Sequence, residues 1–388
     1  MERHIVLHVV THLIHGGTEF YVLRQVAGLD PNRISAHVTF ISSRNDIGHL
    51  YEAAGVAPTS MEHRNFLDAP RTLWRLIALI RRENINVVQT HSRHDRVYGH
   101  AAAWLTRVPV VDTVHSEFGA MRHEAERQNP SLKALLRVRL EDVLRARVVR
   151  EVIAVSASVA DVWERNGSKH DPVDRVSVVG PTVDFGSHRP GGDDSGATRT
   201  QLGIGDADPV LVSVGRLIES KNHKLLVPVM QEVVKRYPTA VLLLVGSGEL
   251  LGELTALVER AGLTENMRLL GSRDDISDLL AASDLFVFPS LTEGLGVAAL
   301  EAAASGLPLV TFDLPSLREI VQDGVNGIRA QPVGDAAAFT RSMLSALENL
   351  STFQLAAVHV WWELRERFDT TASANDDLER IYASARSS

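Results

Sequence analysis

The sequence predicts an α/β protein of two doubly wound, Rossmann-like parallel sheets facing each other across a cleft. Three observations carry this. Short apolar runs alternate with amphipathic stretches of ten or more residues, the pattern of parallel βαβ units covered on both faces. The alternation stops once, in "FGSHRPGGDDSGATRT" (185–200), which has no apolar periodicity and is rich in Gly, Ser and Asp. It then restarts, and 388 residues exceed what one ordinary core organises.

In order, "HIVLHVV" (4–10) reads as a strand and "TEFYVLRQVAGL" (18–29) as a helix. "AHVTFIS", "INVVQTH" and "VPVVDTVH" follow as strands, with helices "RTLWRLIALIRREN" and "RVYGHAAAWLT" interleaved. After the break, "PVLVSVG", "AVLLLVG", "MRLLG", "LFVFPS" and "PLVTF" are strands, separated by helical segments. The expected organisation is a first domain 1–185, a linker 186–200 and a second domain 201–366. Ligands of such sheets bind beyond the carboxyl ends of the strands, so the residues that follow strands are the candidates for chemistry.

Composition narrows the class. A net charge of −8 argues against general nucleic-acid binding. With no cysteine, disulfides and thiolate metal sites are excluded. No apolar run reaches the roughly 18 residues of a membrane span, and histidines interrupt the N-terminal apolar run, so no signal peptide is read there. The expected location is cytoplasmic. "LKALLRVRLEDVLRARVVR" (132–150) reads as a basic amphipathic helix, a solvated face or a peripheral membrane contact.

Four clusters follow strands. "THLIHGGTEF" places Gly16 and Gly17 before a helix, where backbone amides and the positive helix end can receive an anion or simply make a tight turn. "SVGRLIESKNH" offers Arg216 and Lys221, two cations able to neutralise a diphosphate, or a solvated pair. "TEGLGVAALEAAAS" sets Glu293 before Gly294, Leu295 and Gly296, and Glu301 inside an Ala/Leu helix expected to be buried. Eight helical steps span about 12 Å, the reach of a nucleotide sugar from its hexose to its ribose, and carboxylates accept hydrogen bonds from vicinal hydroxyls. A capping acid plus a satisfied core glutamate is the other reading. Finally, His91 and His115 end two strands, where neutral imidazoles can bind a hydroxyl or move a proton. His91 and His94 lack a third ligand for zinc. Asp206 and Asp208 precede a strand and read as a turn, and "VGSGE" (245–249) reads as a turn near the cleft.

Taken together, "VGRLIESKN", "LLLVGSGEL", "LFVFPSLTEGLGVAALEAAASGLPLV", "LREIVQDGVNGI", "HGGTE" and "TVH" resemble, in order, the retaining glycosyltransferase family four (glycosyl transferases group 1) of the GT-B fold. The resemblance implies transfer from a nucleotide diphosphate sugar, UDP-linked by preference, to a carbohydrate, lipid-linked or small-molecule acceptor, with no cofactor or metal required. It implies that Gly16 and Gly17 close on the diphosphate. Arg216 and Lys221 would bind the phosphates. Glu293, with the amides of Leu295 and Gly296, would contact the donor sugar, and Glu301 the ribose. Backbone around Arg273 would meet the base. His115 would sit beside sugar and acceptor, with His91 as a further acceptor contact. It also implies that 367–388 crosses back onto the first domain, that closure of the domains excludes water, and that attack is front-face, the leaving phosphate taking the acceptor's proton. "VVGPTVD" (178–184) departs from the family's Asn-Gly turn, which bears on hinge geometry. A nucleotide-sugar epimerase of the same fold and a non-catalytic sugar-nucleotide-binding protein are the alternatives.

Overall fold

The computed structural model describes residues 3–116, 141–166, 176–186, 195–205, 208–369 and 371–387, without the side chains of Phe66, Asn166, Ser195 and residues 371–373. The chain forms two units, Met1–Thr182 with Thr370–Ser388, and Val183–Asp369.

In the first unit seven parallel strands run in the order β3-β2-β1-β4-β5-β6-β7. They are β1 (His4–Val10), β2 (Ile34–Phe40), β3 (Thr59–Ser60), β4 (Val87–Thr90), β5 (Val110–Val114), β6 (Val149–Ala154) and β7 (Val176–Val178). β1 sits between β2 and β4, with Val6 opposite Ala36 and Val87. Leu7 and Val9 are buried in one cluster with Leu76 and Ala102 from the helices Ala69–Arg82 and Arg93–Thr106. Val6 is buried in another, with Val87, Val111 and Ile153 under Leu378, Ile381 and Tyr382 of the helix Thr371–Ser387. Each such fully buried side chain contributes about 1.5–3 kcal/mol. The Arg93–Thr106 helix begins where it does because Ser92 and Asp95 form a reciprocal capping box.

The second unit has six parallel strands in the order β10-β9-β8-β11-β12-β13. These are β8 (Val210–Val214), β9 (Val241–Val245), β10 (Met267–Gly271), β11 (Leu285–Phe288), β12 (Leu309–Phe312) and β13 (Gly327–Ala330). From β8 the chain moves out to β9 and β10, then returns to place β11 on the other side of β8. The topological switch point of the sheet therefore lies between β8 and β11.

Three expectations change. Residues 132–140 of the basic segment lie outside the described residues. Residues 141–148 are helical, but Val149 and Arg150 open β6, because the valines that follow are drawn into the sheet centre with Val152 and Ile153 fully buried. Of the stretch read as a linker, residues 187–194 lie outside the described residues, as does Asp206. Ser195–Gln201 is a helix. It has no apolar stripe to announce it and is held by Arg199, whose Nε donates to the Ala282 carbonyl at 2.9 Å and whose Nη2 donates to Asp284 at 2.9 Å. Third, the Glu301 helix is not buried all round, since Glu301 itself is half-exposed.

Candidate functional site

In the second unit the loops after β8, β9 and β10 are laced by backbone bonds. Gly215 N–H donates to the Val245 carbonyl at 3.0 Å, Leu217 N–H to that of Ser247 at 2.8 Å, and Gly246 N–H to that of Gly271 at 2.8 Å. "VGSGE" is thus more than a turn. Gly246 has φ +141°, and a Cβ there would collide with the Gly215 carbonyl oxygen. Its absence lets the β9 loop brace the loop that carries Arg216.

Arg216 follows β8 and is exposed. Its side chain makes no hydrogen bond or ion pair among the described residues. Lys221 lies in the short turn Glu219–Lys221, and Leu291 N–H donates to the Ser220 carbonyl at 2.9 Å, tying this loop to the one after β11. That tie brings Lys221 Nζ into an ion pair with Glu293, whose side chain is 8% exposed. Nζ also stands 5.3 Å from the Phe288 ring centroid. Two cations and a carboxylate therefore gather at the carboxyl ends of β8 and β11, the two strands that flank the switch point.

Gly294, Leu295 and Gly296 follow, all buried. Gly296 has φ +86° and begins the helix Val297–Ala304. A Cβ on it would lie 2.7 Å from Leu317 Cδ2. Leu300 N–H returns to the Gly296 carbonyl at 3.0 Å. The amides before it form the positive end of the helix. Glu301 stands one turn into that helix, half-exposed. Arg273, after β10, is committed to Asp275 through both Nε (2.7 Å) and Nη2. Its guanidinium holds the Asp275 carboxyl below the usual range.

Sequence reasoning missed His223. It is fully buried, neither ring nitrogen has a hydrogen-bond partner among the described residues, and burial beside Lys221 lowers its pKa to about 3. The "SKNH" turn gave no sign that its histidine points inward.

In the first unit Gly16 caps the helix Gly17–Ala27. The Glu19 carboxylate occupies the space beside Gly16, where a Cβ would strike it, and lies 3.3 Å from His12 Nε2. His91 and His115 are brought together. His91 Nδ1 is 3.1 Å from His115 Nε2, and His91 Nε2 is 3.2 Å from His8 Nδ1. His91 is 2% exposed with both nitrogens engaged, so it presents none to a ligand, whereas His115 is half-exposed. Burial lowers the pKa of His8 and of His115 to about 3 and that of His91 well below its ordinary value. All three are neutral at pH 7. His8 was legible in retrospect, since His4 and His8 break the apolar face of β1.

Beneath lies a second buried cluster that the sequence did not reveal. Asp112 on β5, unexposed, pairs with His100 at 2.8 Å and with Arg145, and accepts from the Thr90 hydroxyl. Such a carboxylate is tolerated because cations and donors surround it. Nearer the surface, Arg71 (3.7 Å) and Arg75 (2.8 Å) are both paired with Glu62.

Among the described residues no group of three or more His, Cys, Asp or Glu side chains is placed to hold a metal ion, and no helix is long and apolar enough to cross a membrane.

Two family models match the chain. Residues 194–372 match "Glycosyl transferases group 1" and residues 15–186 match "Glycosyltransferase Family 4". The chain is 29% identical over 369 residues to a D-inositol 3-phosphate glycosyltransferase of Nocardia farcinica, covering 88% of this chain and 80% of that one. It is 26% identical over 295 residues to the UDP-Gal:alpha-D-GlcNAc-diphosphoundecaprenol alpha-1,3-galactosyltransferase of Escherichia coli, covering 75% and 74%. In fold it is similar to Anabaena HepE in complex with UDP-glucose, with a TM-score of 0.83 at 22% identity over 98% of this chain and 99% of that one. With two parallel α/β sheets of this topology, and a family model matched on each half, the chain belongs to the family-four glycosyltransferases of the GT-B fold.

Proposed function

We propose that the chain transfers a sugar from a UDP-sugar to an acceptor hydroxyl with retention of anomeric configuration and without a metal ion. The observation that carries this is the convergence of exposed Arg216 and the Lys221–Glu293 pair on the two strands flanking the switch point of the second unit. In this reading the second unit binds the donor. Arg216 and Lys221 take the diphosphate together with the amides that begin the Val297–Ala304 helix. Glu293 turns from Lys221 to the sugar hydroxyls, and Glu301 takes the ribose. Gly16 and Gly17 also approach the phosphates, and the backbone near Arg273 meets the base, its side chain being held by Asp275. The names of two similar proteins support a uridine donor. The E. coli relative is named for a UDP-Gal donor, and a HepE structure contains UDP-glucose.

The acceptor binds to the first unit, with His115 beside its reacting hydroxyl. Arg71 and Arg75 share the single carboxylate of Glu62, which leaves one positive charge between them. The acceptor oxygen attacks the anomeric carbon from the face that the diphosphate leaves. The C–O bond to phosphate breaks, and the departing phosphate oxygen takes the acceptor's proton. Arg216 and Lys221 stabilise the charge that develops there. The test is incubation with UDP-glucose, UDP-galactose and UDP-N-acetylglucosamine against a panel of hydroxyl acceptors, with chelator present and absent. One donor should release UDP and yield a product of unchanged anomeric configuration at a rate that chelator does not alter. An inverted product or a chelator-abolished rate contradicts the reading.

A further inference from the structure

The three histidines of the first unit form a chain with an orphan at its inner end. His8 Nδ1 meets His91 Nε2, His91 Nδ1 meets His115 Nε2, and the rings lie 5.5 and 5.4 Å apart by centroid. His8 Nε2, wholly buried, has no hydrogen-bond partner among the described residues. His115 Nδ1, at the outer end, makes no hydrogen bond among the described residues. The geometry is fixed from several sides. The Tyr21 ring stands edge-on to His115 at 4.9 Å, and its hydroxyl is spent on the Val179 carbonyl at 3.0 Å. Asp95 accepts from the backbone N–H of His91 at 3.1 Å and from that of Ser92 at 2.9 Å, and the Ser92 hydroxyl meets that of Thr11 at 2.7 Å, three residues beyond His8.

Three neutral imidazoles carry three ring N–H groups, and the two links use two of them. A neutral chain then has only two states, because a mixed arrangement would leave His91 with both protons or with neither, a buried charge in either case. In one state every proton points outward, leaving a bare lone pair on His8 Nε2 and an N–H on His115 Nδ1. In the other every proton points inward, leaving an N–H on His8 Nε2 with nothing to accept it. Buried N–H groups left without an acceptor are rare in folded proteins, and the outward state is the one that avoids such a group at His8.

We propose that His8 and His91 are positioning residues that hold His115 as its Nδ1–H tautomer, so that His115 offers the acceptor or sugar oxygen a hydrogen bond and is not a base. Its use in transfer rests on placing His115 beside the acceptor; the tautomer itself does not. An Nδ1–H donor agrees with front-face transfer, in which the phosphate oxygen and not the protein takes the proton.

The experiment is long-range 1H–15N correlation on the full-length protein labelled in its histidine rings, at pH 7. His115 is identified as the signal lost in His115→Asn, and the spectrum is repeated for His8→Leu. The expected wild-type result is a protonated Nδ1 and a bare Nε2 on His115. In His8→Leu the donor to His91 is gone and His115 should shift to a mixture of tautomers. A wild-type His115 protonated at Nε2, or a tautomer unmoved by His8→Leu, overturns the proposal. If His8→Leu does not fold, the wild-type spectrum decides alone. No turnover is needed, so failure here and failure of the UDP-sugar reading are separate results.

Discussion

Lys221 and Glu293, 72 residues apart in sequence, are joined by an ion pair between the loop after β8 and the loop after β11. The pair holds each group in place before any ligand arrives. Removing one partner leaves the other charged, half-buried or more, and uncompensated.

Lys221→Ala is therefore expected to lower both turnover of UDP-sugar, by more than tenfold, and the melting temperature. Adding Glu293→Gln should restore much of the stability without restoring turnover. Calorimetric melting and UDP release measured on the single and double variants check this. Near-normal turnover in Lys221→Ala would remove the lysine from the proposed mechanism.

Gly296→Ala tests the glycine that starts the Val297–Ala304 helix. With φ at +86° and Leu317 Cδ2 2.7 Å from the added carbon, strain and contact both act. A left-handed non-glycine residue costs on the order of 1–3 kcal/mol, so a urea midpoint unchanged from wild type would contradict this backbone conformation. Gly246→Ala should cost at least as much, because there the obstacle is backbone, the Gly215 carbonyl oxygen.

Stability should fall as acid is added below pH 6.5. His8, His115 and His223 have folded pKa values lowered to about 3, and His91 is lowered well below the ordinary value, all chiefly by burial. Groups depressed in the fold contribute stability above their unfolded pKa and lose it as pH falls. Asp95 acts the other way. Burial raises its pKa to about 7, so between about pH 4 and 7 the folded state binds one more proton there than the unfolded state. Burial lowers His37 as well, so the depressed histidines outnumber the one raised aspartate and unfolding takes up protons on balance near pH 5. Urea midpoints at pH 7.5 and 5.5 measure it, and equal midpoints would show that these histidines are not buried neutral.

Glu301→Ala is expected to weaken nucleotide binding while leaving the melting temperature close to wild type, because the side chain is half-exposed on its helix. Titration of UDP should show severalfold weaker binding. A large loss of stability with unchanged UDP affinity would instead mark Glu301 as a packing residue.

The alternation of strand and helix was readable because buried parallel strands are apolar on both faces, as β9 and β11 are. β6 was hidden in a charged segment, since "VREVIA" reads continuously with the helix before it and only the sheet distinguishes them. The Ser195–Gln201 helix is short, polar and anchored by one arginine, a tertiary contact with no local signature. At the site, Arg216, Lys221, Glu293 and Gly296 were found through their positions after strands. That Lys221 and Glu293 touch depends on the Leu291–Ser220 bond, which no local pattern encodes. His91 was found by the same rule, but its burial between His8 and His115 is set by the register of β1 against β4.

In the proposed function the second unit holds the diphosphate of a uridine nucleotide through its two cations. Arg216 tests it most directly, because it is exposed and its side chain binds nothing else among the described residues, so Arg216→Ala should leave the fold intact. The measurement is calorimetric titration of UDP into wild-type protein and Arg216→Ala, with circular dichroism as the folding control. A hydrogen bond to a charged group contributes about 1.5–3 kcal/mol, so UDP should bind the wild type and bind the variant at least tenfold more weakly. Equal UDP affinity in the two proteins, or no UDP binding to the wild type, would contradict the account.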